Sequence, residues 1–324
     1  MENNYWIYED CFIFKPDFNG SIIHYSDIIK QCSKLFFSNY NDFKLSIEEY
    51  NNKNHHSFDE YIGSQFNKPL ANSFNKLTNL TLITFGDNFN YHLNDSLDKL
   101  INLNYLTFGY YFNKSLANSL NQLINLTHIF FGDKFNAQLA NSFDKLTNLI
   151  LIEFGENFNK QLDSSLDKLI NLKYLTFGDK FNQPLANSLD KLTKLEHLKF
   201  GYRFNYPLTN LLVKLTKLEH LKLGHDFNQE LFLPPNIKIL SLNCNNQNLI
   251  DNLPNSIEQI ILNSSFNLRL DNLPNSIKKI SFGMNYSYDK ELNNLPKSLE
   301  LLELNYNYEL KIKNIPPNCK IIYL

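Results

Sequence analysis

Arginine is almost missing from this 324-residue chain: Arg203 and Arg269 are the only two, and the formal net charge is −2. No broad basic field is available to a phosphate backbone, so nucleic acid is not an expected partner. Cysteine is sparse as well. Cys11, Cys32, Cys244 and Cys319 stand far apart, with no paired spacing for a disulfide framework, a zinc site or a redox motif. Reduced thiols in a cytoplasmic setting are expected. No apolar run approaches the ~18 residues that a membrane-spanning helix needs. Glu2, Glu9 and Asp10 lie close to Met1, and no basic-then-apolar leader follows them. Gly-rich phosphate loops and nucleophile motifs are also wanting, so no catalytic residue, cofactor or enzymatic activity is expected.

What the chain has is a period. Phe-Asn begins at Phe66, Phe89, Phe112, Phe135, Phe158, Phe181, Phe204 and Phe227, every 23 residues and without insertion. A fixed period in the 20s marks a solenoid, whose coils bury their apolar faces only by stacking on their neighbours. In the coil from Phe135 to Asn157, Ile152, Glu153 and Phe154 alternate in, out, in, as a strand does. Ser142 followed by Phe143 and Asp144 reads as a capped helical or 3₁₀ turn on the return side. Gly155 stands after the strand, where a Cβ would obstruct the bend.

Asn is a poor residue for a core, yet Asn67, Asn90, Asn113, Asn136, Asn159, Asn182, Asn205 and Asn228 recur without exception. Their side chains are expected to form a ladder with backbone groups of neighbouring coils. After about residue 226 the phrase becomes Leu-Pro or Ile-Pro with a strand, at Pro234, Pro254, Pro274, Pro296 and Pro316. Proline disfavours a helical return turn, which fits coils of about 20 residues with extended backbone there. The strand column Phe85 to Leu223 leads directly into Leu242, Leu262, Phe282, Leu304 and Leu324, so the two blocks are expected to share one strand face.

The phrase LKYLTFGDKFNQPL, Leu172 to Leu185, resembles the FNIP repeat, and the resemblance runs over roughly residues 58–324. It implies a leucine-rich-repeat-like solenoid with a parallel β-sheet on the concave face. The convex face would carry short helical, 3₁₀ or extended segments. The Pro that often follows Phe-Asn in the family is present after Asn67, Asn182 and Asn205 but replaced by Gln161 elsewhere. Such repeats are known from social amoebae and giant viruses of amoebae, which suits the Asn-, Ile- and Lys-rich composition and would put the chain in the cytoplasm of a host. Proteins of this kind often carry an F-box ahead of the repeats.

Residues 1–57 accordingly read either as a solenoid cap or as a degenerate F-box-like segment. Phe12 to Phe14 followed by Phe18-Asn19 echoes the repeat phrase, and Ser26–Phe37 has the apolar spacing of a helix. The expected function is a non-enzymatic protein–protein interaction scaffold binding on its concave face. Substrate reception for a ubiquitin ligase, through its adaptor, and self-association are the alternatives. The candidate binding residues are the outward strand positions Tyr105, His128, Tyr174, His197 and His220, with Tyr110 and Tyr202 at the rim. Tyrosine is favoured where proteins meet because it offers area and a polar tip at small entropic cost. The histidines have no carboxylate or Cys recurring in register beside them, so no metal is expected.

Overall fold

A computed structural model describes residues 3–41, 61–208, 211–264, 266–283, 285 and 287–324. The chain forms two compact units, Met1–Leu172 and Lys173–Leu324.

The first unit contains strands β1 (Tyr5–Tyr8), β2 (Cys11–Phe14), β3 (Lys34–Phe37), β4 (Leu82–Thr84), β5 (Tyr105–Thr107), β6 (His128–Phe130) and β7 (Leu151–Glu153). β1 and β2 form an antiparallel pair, and β2 through β7 pair in parallel in chain order. The second unit contains β8 (Tyr174–Thr176), β9 (His197–Lys199), β10 (His220–Leu223), β11 (Ile239–Leu242), β12 (Gln259–Leu262), β13 (Lys279–Ser281), β14 (Leu301–Leu304) and β15 (Lys320–Tyr323), all parallel to their sequence neighbours. The change from 23-residue to shorter coils falls inside this unit, where Leu221 and Leu223 of β10 pair with Leu240 and Leu242 of β11. At the far end Leu304 pairs with Tyr323 rather than with Leu324, one residue earlier than the 20-residue spacing suggests.

Three-residue strands suffice because each coil supplies only one inward side chain per strand, and Leu106, Ile129 and Ile152 are fully buried. The next phenylalanine, at Phe108, Phe131 and Phe154, also turns inward and stacks on its equivalent one coil away, at 5.5 and 5.4 Å between ring centroids. A second column comes from the Phe-Asn pairs: Phe89, Phe112, Phe135 and Phe158 stack at 5.9–6.1 Å. The two columns touch within each coil, as Phe108 and Phe112 do at 4.0 Å. Parallel strands alone set a spacing of about 4.8 Å, so the tilted rings fill the interval between coils.

The return side is built of successive turns with i to i+3 backbone bonds, such as Ser96 N–H to Leu93 O at 3.0 Å and Leu100 N–H to Leu97 O at 2.9 Å. Ser142 does not cap a helix: it is buried, and its hydroxyl donates back to the Leu139 carbonyl. Ala71, Asn94, Ala117, Ala140, Asp163 and Ala186 take positive φ at the corner before each return. The glycine after the strand has a different task from a bend. A Cβ on Gly132 would fall inside the carbonyl group of Gly109 in the preceding coil, and Gly109 has the same relation to Gly86.

Residues 3–41 belong to the sheet. The helix expected over Ser26–Phe37 is confined to α1 (Ser26–Ile29), because Lys34–Phe37 pairs with Cys11–Phe14 instead. Residues 42–57 of the segment read as cap or F-box lie outside the described residues. Phe18 stacks on Phe66 at 5.8 Å and Asn19 Oδ1 accepts from Asn67 N–H at 3.0 Å, so this first turn of chain meets the repeats through the same pair of residues the repeats use among themselves.

That pairing continues. The backbone N–H of Asn90, Asn113, Asn136 and Asn159 each donates to Oδ1 of the Asn 23 residues earlier, at 2.8–3.0 Å. Asn205 and Asn228 repeat it in the second unit, on Asn182 and Asn205, at 3.0 and 2.9 Å. The rungs lie at the surface, half-buried or exposed, not in the core. A second ladder runs along the other side: Nδ2 of Asn102, Asn125, Asn148 and Asn171 donates to a carbonyl 24 residues back, at 2.8–2.9 Å.

Two outcomes test this packing. Gly132→Ala must push neighbouring coils apart and is expected to lower unfolding free energy by about 1–3 kcal/mol in a urea titration; an unchanged midpoint would contradict the close approach of coils. Asn136→Ala removes the acceptor for Asn159 N–H at a site that water reaches, so its cost should be about 0.5–1.5 kcal/mol. Asn118→Ala, at an exposed position, should change stability by less than about 0.5 kcal/mol, and equal effects would remove the ladder's role in stability.

Candidate protein-binding face

Side chains on either side of each buried strand residue point away from the core. In the first unit these positions are Tyr105 and Thr107, His128 and Phe130, Leu151 and Glu153, all half-buried. The same columns continue back through β4 and β3 to β2, but there they are not open. Cys11, Ile13, Phe36 and Leu82 form a separate cluster, exposed by 6, 0, 4 and 2 %, with Trp6 and Tyr105 packed against it. The first strands are thus buried on both sides, as their unbroken apolar runs Cys11–Phe14 and Leu35–Phe37 require.

Tyr105 therefore has a packing reason for its ring, which also stacks on His128 at 4.3 Å with planes 14° apart. His128 Nδ1 lies 2.8 Å from Thr127 Oγ1. At the rim of this unit Tyr110 meets Tyr111 edge-on at 4.7 Å, and Lys134 Nζ stands 5.1 Å over the Tyr110 ring. The ammonium over the ring face is a favourable cation–π pair.

The second unit brings Tyr174, His197 and His220 together. Tyr174 stacks on His197 at 4.6 Å, and the His197 and His220 rings meet at 5.4 Å and 70°. Their Nδ1 atoms are 3.3 Å apart, and His220 Nε2 is 2.9 Å from Ser241 Oγ. Ser241 is the residue that sequence reasoning passed over; its signal was a polar residue at an outward strand position of the first Leu-Pro coil. Burial first, and then the charge of Lys199, holds His197 below the ordinary imidazole range. Burial, His197, Lys199 and Lys222 push His220 down to about 4. Both rings are thus uncharged at neutral pH. Tyr202 at this unit's rim stacks on His225 at 4.5 Å, and His225 Nδ1 is 2.8 Å from Asp226 Oδ1. Among the described residues no three His, Cys, Asp or Glu side chains converge as metal ligands would. No helix among them is long and apolar enough to cross a membrane.

The depressed His220 value has a consequence for stability. The unfolded chain, with His220 near 6.5, binds a proton that the folded chain refuses until about pH 4. Stability from this residue is complete above pH 6.5 and is lost as pH falls toward 4. The urea midpoint should therefore drop between pH 7.5 and 4.5, and His220→Gln should shrink that drop. An equal drop in the variant would show that His220 is not held neutral by the fold.

The FNIP Repeat family model matches residues 245–285. No curated protein sequence matches the chain. Among solved structures, CroV588, described as a novel circular LRR protein, superimposes with a TM-score of 0.56 at 23 % identity, over 99 % of this chain and 60 % of its own. The chain thus spans less than two thirds of that protein. An internalin (inlF) from Listeria monocytogenes gives a TM-score of 0.53 at 18 % identity, over 77 % of this chain and 70 % of its own. TLR13 in its ssRNA13 complex gives 0.56 at 18 % identity, over 86 % of this chain and 40 % of its own. At these identities the likeness is one of fold, and with the repeat match it leads to a plain assignment: the chain is a leucine-rich-repeat-like solenoid that carries a FNIP repeat at residues 245–285.

Proposed function

We propose that this chain is a non-enzymatic scaffold that binds another protein on the solvent side of its sheet, the side that the repeat resemblance makes concave. One observation carries the reading: Tyr174, His197 and His220 form a contiguous half-buried surface of stacked rings, in which both His220 nitrogens and His197 Nδ1 are already partnered. Such a surface loses little when water is removed from it, because few of its hydrogen bonds are surrendered. Tyr202 and His225 extend it toward the rim. Two of the solved structures of similar fold are themselves complexes, TLR13 with ssRNA13 and Toll with Spatzle, and the second is between proteins.

A ligase-receptor role draws no support from residues 3–41, since the helix that suggested an F-box stops at Ile29 and the end of that stretch, Lys34–Phe37, is a strand of the sheet. Deleting residues 1–57 is no test of that role, because it would strip three strands from β4 and uncover Leu82 and Ile83.

The informative experiment is affinity capture with matched variants. Tyr174→Ala with His197→Ala removes anchor rings, each worth about 2 kcal/mol at an interface centre, and is expected to abolish capture of the main partner while the folded chain persists. Asp144→Ala with Lys168→Ala, exposed on the return side, should leave capture intact. Loss of the partner only in the return-side variant would place binding on the opposite face. Capture of nothing but a second copy of the chain would favour the self-associating reading.

A further inference from the structure

We propose that Lys199 and Lys222, on the open side of β9 and β10, form a seat for the carboxylates of an acidic protein segment. This rests on the protein-binding reading above and adds to it the chemistry of the partner. Lys199 and Lys222 are register partners on adjacent strands, which sets their backbones about 4.8 Å apart. They sit two residues beyond His197 and His220, on the same side of the sheet. Among the described residues neither makes an ion pair, and the glutamates that precede His197 and His220 are already engaged. Glu196 is bound to Lys173 at 2.7 Å and Glu219 to Lys238 at 2.7 Å. Glu303 is the one acidic residue within the strands of this unit, and it is held by Lys279 at 2.7 Å.

Like charges carried on neighbouring strands repel one another, and an incoming carboxylate relieves that repulsion while pairing with both. The adjacent imidazoles report the same unneutralised field, since both lysines lower His220 and Lys199 lowers His197. The imidazoles also have a place in the seat. With the proton of the close Nδ1 pair on His220 and the Ser241 hydroxyl donating to His220 Nε2, neutral His197 carries its N–H on Nε2. Among the described residues that Nε2 has no hydrogen-bond partner, so it is left to donate to the same anion. A bound carboxylate selects this tautomer without requiring either ring to be charged.

Binding of a fluorescein-labelled ten-residue peptide of alternating Glu and Gly to the whole chain, read by anisotropy, tests the seat. The expected result is saturable binding that weakens with added salt and falls at least about tenfold in Lys199→Gln with Lys222→Gln. Lys199→Arg with Lys222→Arg should retain it, and Lys145→Gln with Lys168→Gln on the return side should leave it unchanged. Unaltered melting temperatures would show that these variants fold. Equal binding of a Gln-for-Glu peptide, or indifference to the Gln variants, would overturn the proposal. Tighter binding of a 20-residue thymidine oligonucleotide through the same lysines would replace a carboxylate ligand with phosphate and overturn it as well. Should the peptide fail to bind while Tyr174→Ala with His197→Ala still loses the captured partner, the acidic seat falls and the binding face stands.

Discussion

Stacking of one coil on the next in strict register is the constraint from which the other features follow. Parallel strands bring successive backbones to about 4.8 Å, and at that distance each position of a coil meets the same position of its neighbour. Glycine after the strand answers this directly, since Gly132 has the Gly109 carbonyl where its Cβ would be. Phenylalanine answers it by lying flat against its equivalent, with interplanar angles of 3–9° along the Phe89 to Phe158 column. Asparagine answers it by reaching one coil ahead with a side-chain oxygen for a backbone N–H that the short strand leaves without a carbonyl. A single inserted residue would put all three out of step at once, and none occurs between Phe66 and Phe227.

The same constraint explains which parts of the fold are legible from the residues alone. Strand, glycine and Phe-Asn recur because each coil imposes them on the next, so eight copies of a signal stand in for an alignment. The second asparagine ladder was equally legible, since Asn79, Asn102, Asn125, Asn148 and Asn171 keep the same spacing. It is passed over easily because the residue sits in the turn phrase Leu-x-Asn-Leu, where asparagine has a local excuse. The first 41 residues are the harder case. Ser26, Asp27 and the apolar residues after them have helical spacing, but a helix there would leave Phe14 and Phe37 without the stacked contact at 5.0 Å that continues the core. Tertiary pairing of Lys34–Phe37 with Cys11–Phe14 prevails over local propensity. Two-sided burial of Cys11, Ile13, Phe36 and Leu82 has no periodic signal; only their uninterrupted apolar runs hint at it.

Outward strand positions are free of the stacking requirement, and there the repeats diverge. Tyr105 and Tyr174 hold the same place in coils of the two units, each followed by a histidine one coil on. The surroundings separate them. The Tyr105 ring packs against a buried apolar cluster, so its retention is explained by the fold. Tyr174 has His197 beneath it, and the chain of polar contacts then runs through His220 to Ser241. Residues identical in the repeat phrase thus carry structural work in one unit and surface chemistry in the other, a distinction no reading of the phrase could draw.

The acidic seat proposed for that second surface turns on how its charges are placed. Lys199 and Lys222 are register partners that make no ion pair among the described residues, and both neighbouring imidazoles have a lowered proton affinity. Elsewhere in the same unit lysine and glutamate are paired, at the strand starts as Lys238 with Glu219 and Lys278 with Glu258, and within the strands as Lys279 with Glu303. Exchanging either lysine for a neutral residue would ease repulsion and disturb no contact of the core, since the side chains lie on the outward side of β9 and β10. Such paired surface charges are worth little individually. In the proposed seat, the charge that neutralises Lys199 and Lys222 is a carboxylate supplied from outside the chain.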